Sequence, residues 1–198
     1  RTNKGKLFYS AGSTTFSLAC TFANNGRNKS MTIKAEKKLA GIFGSPVAHS
    51  RSPLVHGYWL EQYGIDGAYI PLSVPPEKFS EALRLLPYLG FKGANVTLPY
   101  KEKALELVDV ADPLSLKVGA VNTIRVSDKG LLYGSNTDGY GFIENLNAGA
   151  PHWRGDKGIA VVIGAGGAAR SIVYALLDTG LSVRLVNRTT ERAEELAA

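Results

Sequence analysis

The feature that most constrains the fold of this chain lies toward its C-terminal end, in the stretch GIAVVIGAGGAARSIVYALLDTGLSVRLVN (158–187). Residues 159–163 are an unbroken apolar run of strand length, as expected of a strand buried on both faces. A glycine turn follows, then a helical stretch ending at Gly180, then a second apolar run over 181–187. Strand, helix and strand in this order make a βαβ unit, so the two strands lie parallel and side by side. The turn itself, Gly164, Ala165, Gly166, Gly167, Ala168, Ala169, fits G-x-G-x-x-G/A with Ala169 in the third glycine position. Gly164 permits the tight turn, and Gly166 lets the backbone approach a pyrophosphate seated on the positive helix N-terminus. A ligand-free turn would read the same way in isolation. Here the strand before it and the helix after it are both present, which favours dinucleotide binding.

The end of the second strand selects the dinucleotide. NAD sites place an acid about 20 residues beyond the glycines, where it accepts from the ribose 2′-hydroxyl. This chain has Asn187, Arg188 and Thr189 there, with Arg192 one turn on. Two guanidiniums and no carboxylate suit a 2′-phosphate, so the expected cofactor is NADP.

Upstream, strand and helix alternate from Lys38. Apolar runs over 38–44, 68–74 and 93–99 read as strands. Ser52 and Pro53 read as a helix start, with the Ser52 hydroxyl as N-cap and proline in the first turn. Leu54 and Tyr58, and Val55, Trp59 and Tyr63, recur at helical spacing up to Gly64. A second helix is expected over 77–90, with Phe79, Leu83 and Leu86 on one face, and a third over 100–108. Residues 120–126 and 131–138 flank the turn sequence SDKG and read as a β-hairpin. Another helix starts at Asp138 and runs to 146. The glycine-rich stretch 147–158 reads as a linker.

Composition narrows the function. The formal net charge is +6, but residues 1–30 contribute Arg1, Lys4, Lys6, Arg27 and Lys29 and no acid. The remainder is close to neutral, so nucleic acid and anionic membranes lose their main support as partners. No apolar run approaches the ~18 residues of a spanning helix. One cysteine, Cys20, excludes an internal disulfide framework and fits a reducing, cytoplasmic compartment. With only His49, His56 and His152 besides, no metal-ligand spacing is present, and no metal is expected. The sole methionine is Met31, preceded by Ser-, Thr- and Asn-rich sequence without periodicity. Residues 1–30 therefore read as foreign to the fold, with a transit peptide as the rival reading. At the other end, ERAEELAA stops inside a helical pattern without a glycine cap, as a shortened chain would.

Polar residues gather where ligands collect in α/β proteins, at strand-to-helix loops. Lys101 follows Asn95, Thr97 and Pro99; Asp138 ends N-T-D; Asn122 lies in A-V-N-T; Ser50 and Ser52 follow the first strand. A lysine and a carboxylate brought together there could exchange a proton with a substrate hydroxyl or ketone. Spacing alone leaves the plainer roles open: surface charge for Lys101, helix cap for Asp138, hairpin polar group for Asn122.

Taken together and in order, GSPVAHSRSP, GANVTLPYKEKA, GAVNTI, GSNTDGYGF, GAGGAAR and NRTTERA resemble the shikimate dehydrogenase family over essentially all of 38–198. The resemblance implies an α/β chain: an N-terminal α/β substrate-binding domain, then the first part of a Rossmann NADP-binding domain. It implies reversible NADPH-dependent reduction of 3-dehydroshikimate to shikimate, within aromatic amino-acid biosynthesis. Lys101 would be the catalytic acid/base and Asp138 its partner. Ser50 and Ser52 would bind the substrate carboxylate, and Asn95, Thr97 and Asn122 the ring hydroxyls or the Lys101–Asp138 pair. Gly164, Ala165, Gly166, Gly167 and Ala168 would cradle the pyrophosphate; Asn187, Arg188, Thr189 and Arg192 would hold the adenosine 2′-phosphate. The domains would be a disordered extension over 1–36, a shikimate-binding domain over 37–148 and a partial Rossmann domain over 149–198, in a monomer or homodimer. Because a nucleotide-binding sheet has about six strands and this chain supplies two, the chain alone is expected to be nearly inactive. The rivals are a quinate/shikimate dehydrogenase using NAD, which the Ser50/Ser52 pair and Arg188 disfavour, and a non-catalytic sensor, which needs no Lys101–Asp138 pair.

Overall fold

The structure, a computed structural model, describes residues 37–153 and 158–197. The expected extension over 1–36, and residues 154–157 of the expected linker, lie outside the described residues. The elements are β1 (Lys38–Gly44), α1 (Ser52–Gln62), β2 (Gly67–Ser73), α2 (Phe79–Leu85), β3 (Phe91–Val96), α3 (Lys101–Leu107), β4 (Val110–Ala111) and α4 (Pro113–Val118). They continue with β5 (Thr123–Val126), β6 (Leu132–Ser135), α5 (Asp138–Gly149), β7 (Ile159–Ile163), α6 (Gly167–Asp178), β8 (Ser182–Val186) and α7 (Thr190–Ala197).

Two sheets form. The first has the strand order β2-β1-β3-β5-β6-β4. Its β2, β1 and β3 run parallel, and β5 is antiparallel to both β3 and β6. The second is the expected parallel pair β7 and β8, in register from Ile159 with Ser182 to Ile163 with Val186. The core of the first unit gathers Phe43, Phe79, Leu83, Leu86, Val96, Tyr100 and Val121. Phe79 stacks on Tyr100 with ring centroids 4.3 Å apart and meets Phe43 edge-on at 5.4 Å, geometries that aromatic quadrupoles favour. The α2 face expected from Phe79, Leu83 and Leu86 is therefore the buried one. The helix itself is shorter than 77–90. A single 3-10 turn (Pro76–Lys78) precedes it, and it closes before Pro87, whose nitrogen has no hydrogen to continue the ladder.

Four other expectations are corrected. Ser52 is the first residue of α1 and caps nothing; the Ser50 Oγ accepts the Ser52 N–H at 3.2 Å, so the cap-like contact belongs to Ser50. The stripe of α1 that faces the sheet is Pro53, His56 and Leu60, not the more apolar Leu54, Tyr58 and Tyr63; Leu54 and Tyr63 are each 73% exposed. The helix flanks the edge strand β2, and amphipathic aromatic rings tolerate that exposure. Strand β7 is not buried on both faces. Its odd-numbered side chains face outward, with Ile163 85% exposed, because α6 covers one face and no described residue covers the other. The short β4 and α4 were not expected at all, although Asp112–Pro113 is a helix-start signature. The Asp112 carboxylate accepts the Ser115 N–H at 2.6 Å. Asp112→Ala is expected to remove ~1 kcal/mol of stability, as N-cap losses do. Thermal unfolding should then show a midpoint lower by roughly 2–4 °C; an unchanged midpoint would count against the cap.

Two glycines set the approach of elements to the site. A β-carbon on Gly44 would lie 2.6 Å from the Thr97 Cγ2, so only glycine lets the ends of β1 and β3 close on each other. A β-carbon on Gly139 would lie 2.7 Å from the Ser171 carbonyl oxygen, so glycine also lets α5 cross α6 at close range. That crossing joins the two sheets. It runs α5 on to Gly149, past the 146 expected.

Candidate active site

The C-terminal ends of the parallel strands and the N-terminal ends of α3 and α5 meet in one place. Lys101 opens α3 and Asp138 opens α5, 37 residues apart. The Lys101 Nζ donates to the Asp138 Oδ2 at 2.5 Å, and the two side chains are only 13% and 26% exposed. Shelter of this degree weakens salt screening of the pair. The other carboxylate oxygen, Oδ1, accepts from the Asn122 Nδ2 at 2.7 Å. Asp138 therefore does not act as a cap; Thr137 holds the N-cap position, and the carboxylate is turned to lysine and asparagine instead.

Asn122, just before β5, is itself locked. Its Oδ1 accepts the backbone N–H of Thr137 at 3.1 Å and the Thr123 hydroxyl at 2.8 Å. Asn95, on β3, donates from Nδ2 to the Thr123 Oγ1 at 3.2 Å and to the Asn122 carbonyl at 3.4 Å. The Asn95 Oδ1 accepts from the Tyr69 hydroxyl at 2.7 Å. Tyr69, on β2, is in turn hydrogen-bonded to the Ser52 side chain. Polar contacts thus run without a break from Ser52 to Lys101. Thr97 holds its place through its backbone, donating to the Phe43 carbonyl at 2.9 Å. Ser50, Ser52, Asn95, Thr97, Lys101 and Asn122 are all shielded at least in part, as residues of a cleft are.

The glycine turn lies against this cluster. A β-carbon on Gly167 would stand 3.9 Å from the Lys101 Cδ. Gly164 adopts φ 115, a conformation that favours glycine, and its N–H donates to the Val186 carbonyl at 2.7 Å, pinning the turn to the end of β8. β-carbons on Gly164 and Gly166 would meet no atom within 4 Å, so the surface above the turn is open. Asn187 at the end of β8 donates to the Thr189 carbonyl at 2.7 Å and so shapes its own turn. Arg188 and Arg192 beyond it are exposed. They share the strand-end side of the βαβ unit with the glycines but touch none of the Lys101 cluster.

Four participants escaped the sequence reading: Tyr69, Thr123, Asn136 and Thr137. Asn136 is 4% exposed; it donates to the Ala120 carbonyl at 3.0 Å and accepts the Asp138 N–H at 3.0 Å and the Ser171 hydroxyl at 3.1 Å. It ties the start of α5 to α6. A polar residue buried at a strand end was the available signal. Among the described residues no three His, Cys, Asp or Glu side chains come together as metal ligands, and no helix is long and apolar enough to cross a membrane.

A sheltered lysine–carboxylate pair in one α/β unit, set against the glycine turn of a parallel βαβ unit, defines a class of two-unit α/β proteins in which a polar-ligand site adjoins a Rossmann-type turn. Residues 42–124 match the family model described as the shikimate dehydrogenase substrate binding domain. Over 167 residues the chain is 56% identical to the shikimate dehydrogenase (NADP(+)) of Paramagnetospirillum magneticum, covering 84% of this chain and 60% of that protein. Over most of its length the chain is thus similar to shikimate dehydrogenases. Among solved structures it superposes on shikimate dehydrogenase from Aquifex aeolicus with a TM-score of 0.78 and 38% identity, over 84% of this chain and 61% of that one. It also superposes on the Thermus thermophilus enzyme in complex with NADP(H) and shikimate, with a TM-score of 0.73 and 40% identity, over 81% and 59% of the two chains. The chain therefore spans about 60% of the length of the relatives it matches.

Proposed function

We propose that this chain carries the shikimate-binding unit (37–148) and the opening of the NADP-binding unit (149–198) of a shikimate dehydrogenase, which reduces 3-dehydroshikimate reversibly to shikimate. The observation that carries the proposal is the Lys101–Asp138 pair lying beside Gly167. A proton donor close beside a nucleotide turn is what carbonyl reduction requires.

The residues fit the nucleotide. The turn above Gly164 and Gly166 has room for a pyrophosphate, the first amides of α6 lack partners within their own helix, and Arg188 and Arg192 are free to pair with a 2′-phosphate. NADPH, when bound, supplies the hydride. Lys101 gives its proton to the oxygen of the ketone as that oxygen gains charge, and recovers one from solvent. Asp138 holds the ammonium in place, and Asn122 prevents the carboxylate from turning. In the reverse direction the neutral lysine takes the hydroxyl proton. Ser50 and Ser52 bind the carboxylate; Asn95, Thr97 and Asn122 satisfy ring hydroxyls, whose donors and acceptors such groups match. The same reading puts the protein in the cytoplasm as a monomer or homodimer.

The decisive experiment is shikimate oxidation by the protein with NADP+, with NAD+ and quinate as comparators. Turnover that needs shikimate and prefers NADP+ supports the proposal. Binding of shikimate without turnover by a chain extended to the relatives' full length would sink it in favour of a sensor. The double change Arg188→Ala/Arg192→Ala is expected to raise the KM for NADP+ about 10–100-fold, as loss of charge-assisted bonds does. The KM for NAD+ should hardly move. Equal effects on both cofactors would remove the two arginines from the 2′-phosphate.

A further inference from the structure

Helix α1 carries its charges at the unfavourable ends. A helix N-terminus is partly positive and a C-terminus partly negative, so acids are stabilised at the first and bases at the second. α1 has Arg51 at its N-cap position and Glu61 in its last turn, with no acid in the first turn and no base in the last. Both side chains are exposed, and neither is ion-paired with a described residue. Ten residues separate them, about 15 Å along the axis. Between them the outward face is apolar. Pro53, His56 and Leu60 turn to the sheet, so Leu54, Val55 and Tyr58 point away from it, with Trp59 and Tyr63 beside them. Tyr58 is 61% exposed and Trp59 47%.

The size of the patch is that of an interface. Taking about 200 Å² for each aromatic side chain and somewhat less for Leu54 and Val55, the exposed parts of these five residues come to roughly 500–600 Å². That is the upper end of what a monomer leaves contiguous, about 300–600 Å². A contact about 65% apolar that covered it would bury roughly 800–900 Å² per partner, close to the usual ~800 Å² a side of a specific protein–protein interface. We infer that this face of α1 packs on a second copy of the chain, antiparallel across a two-fold axis near the middle of the helix. A two-fold contact must be self-complementary. The reversed charges meet that condition, because an antiparallel copy sets Arg51 against the partner's Glu61, and Glu61 against the partner's Arg51. Each charge then also lies over the helix end that attracts it, Arg51 at the partner's C-terminus and Glu61 at its N-terminus. A parallel pairing would oppose like charges. The sheet edges are the rival route for a second copy, and both are blunted. The edge strand β2 contains Pro71, which has no N–H to offer a neighbouring strand, and β4 at the other edge is two residues long.

The inference decides between the monomer and the homodimer named above and stands apart from the reaction, so its failure would leave the proposed activity intact. Sedimentation equilibrium tests it at about 1–100 μM, the weak end of the range for interfaces of this size. The chain is extended to the relatives' full length, so that the uncovered face of β7 does not contribute and cover of α1 by the rest of the protein shows as a monomer. A reversible dimer is expected. Tyr58→Ala, near the centre of the patch, should weaken it about 30-fold or more, as loss of a central aromatic anchor does. Arg51→Glu and Glu61→Arg should each weaken it about tenfold, because the two-fold axis sets like charges against each other twice. The double change Arg51→Glu/Glu61→Arg should bring the dissociation constant back to within about threefold of the unmutated protein, a recovery that misfolding of the single variants could not give. A monomer at every concentration overturns the inference, and so does a dimer that Tyr58→Ala leaves unchanged. Single charge changes that weaken the dimer without rescue by the double change overturn it too, because the antiparallel pairing is what the charges require.

Discussion

Lys101→Ala should lower the turnover of shikimate on the order of 10³-fold, the range that removal of a positioned acid/base commands. Shikimate should still bind. The Ser50, Ser52, Asn95 and Thr97 contacts are made by other elements, and the Asp138 carboxylate keeps its bond from Asn122. The effect should therefore fall on kcat far more than on the equilibrium constant for binding, as expected when an interaction made mainly in the transition state is lost. Stopped turnover with calorimetric binding retained is the expected pair of results. Turnover within tenfold of the unmutated protein would take Lys101 out of the proton transfer.

Asp138→Asn is expected to be the next most damaging change, about 100-fold in kcat. The substitution is nearly isosteric, and the new amide can still accept from Asn122 through its oxygen. What disappears is the charge that holds the ammonium at 2.5 Å. Lys101 then has no counter-ion among its described partners, and its position relaxes. Geometric misplacement at a reacting centre is itself worth large factors in rate. Steady-state kinetics over a range of shikimate concentrations at saturating NADP+ checks this. If kcat holds while only the KM for shikimate rises, Asp138 is a binding group and not an orienting one.

The positions of Lys101 and Asp138 were legible because each ends a strand-to-helix passage, and such passages converge at one edge of a sheet, but spacing left their roles open and only the family resemblance assigned them. The glycine turn was legible because its φ demand and its flanking elements are both written locally. Tyr69 was not, for a physical reason. In AYIPLSV its ring suits either face of a strand, and only the register with β1 decides which face meets Asn95. Thr123 was hidden for the same reason. On α1 the recurring apolar residues located the helix but did not say which face it buries; where the partner is an edge strand, the more polar Pro53–His56–Leu60 face can win. The apolar run of β7 indicated a strand, but its burial on both faces was misread, because described residues cover only one of them. Beyond the βαβ unit, the sequence reading found the longer strands and the β5–β6 hairpin but not the sheet order, and it missed β4, whose two residues carry no pattern.

The close crossing of α5 and α6 at Gly139 has a mechanical meaning. The crossing point is one residue from Asp138, at the very start of a helix that runs twelve residues to Gly149, about 18 Å at 1.5 Å per residue. A fulcrum placed there makes α5 a beam pivoted at one end. Tilting one unit against the other by about 10° would sweep the far end of the beam by roughly 3 Å on that length, yet displace the carboxylate by well under 1 Å. Asn136, bonded to both the Asp138 N–H and Ser171, pins the pivot. The Lys101–Asp138 pair thereby sits close to the fulcrum, where a tilt of one unit against the other would displace it least.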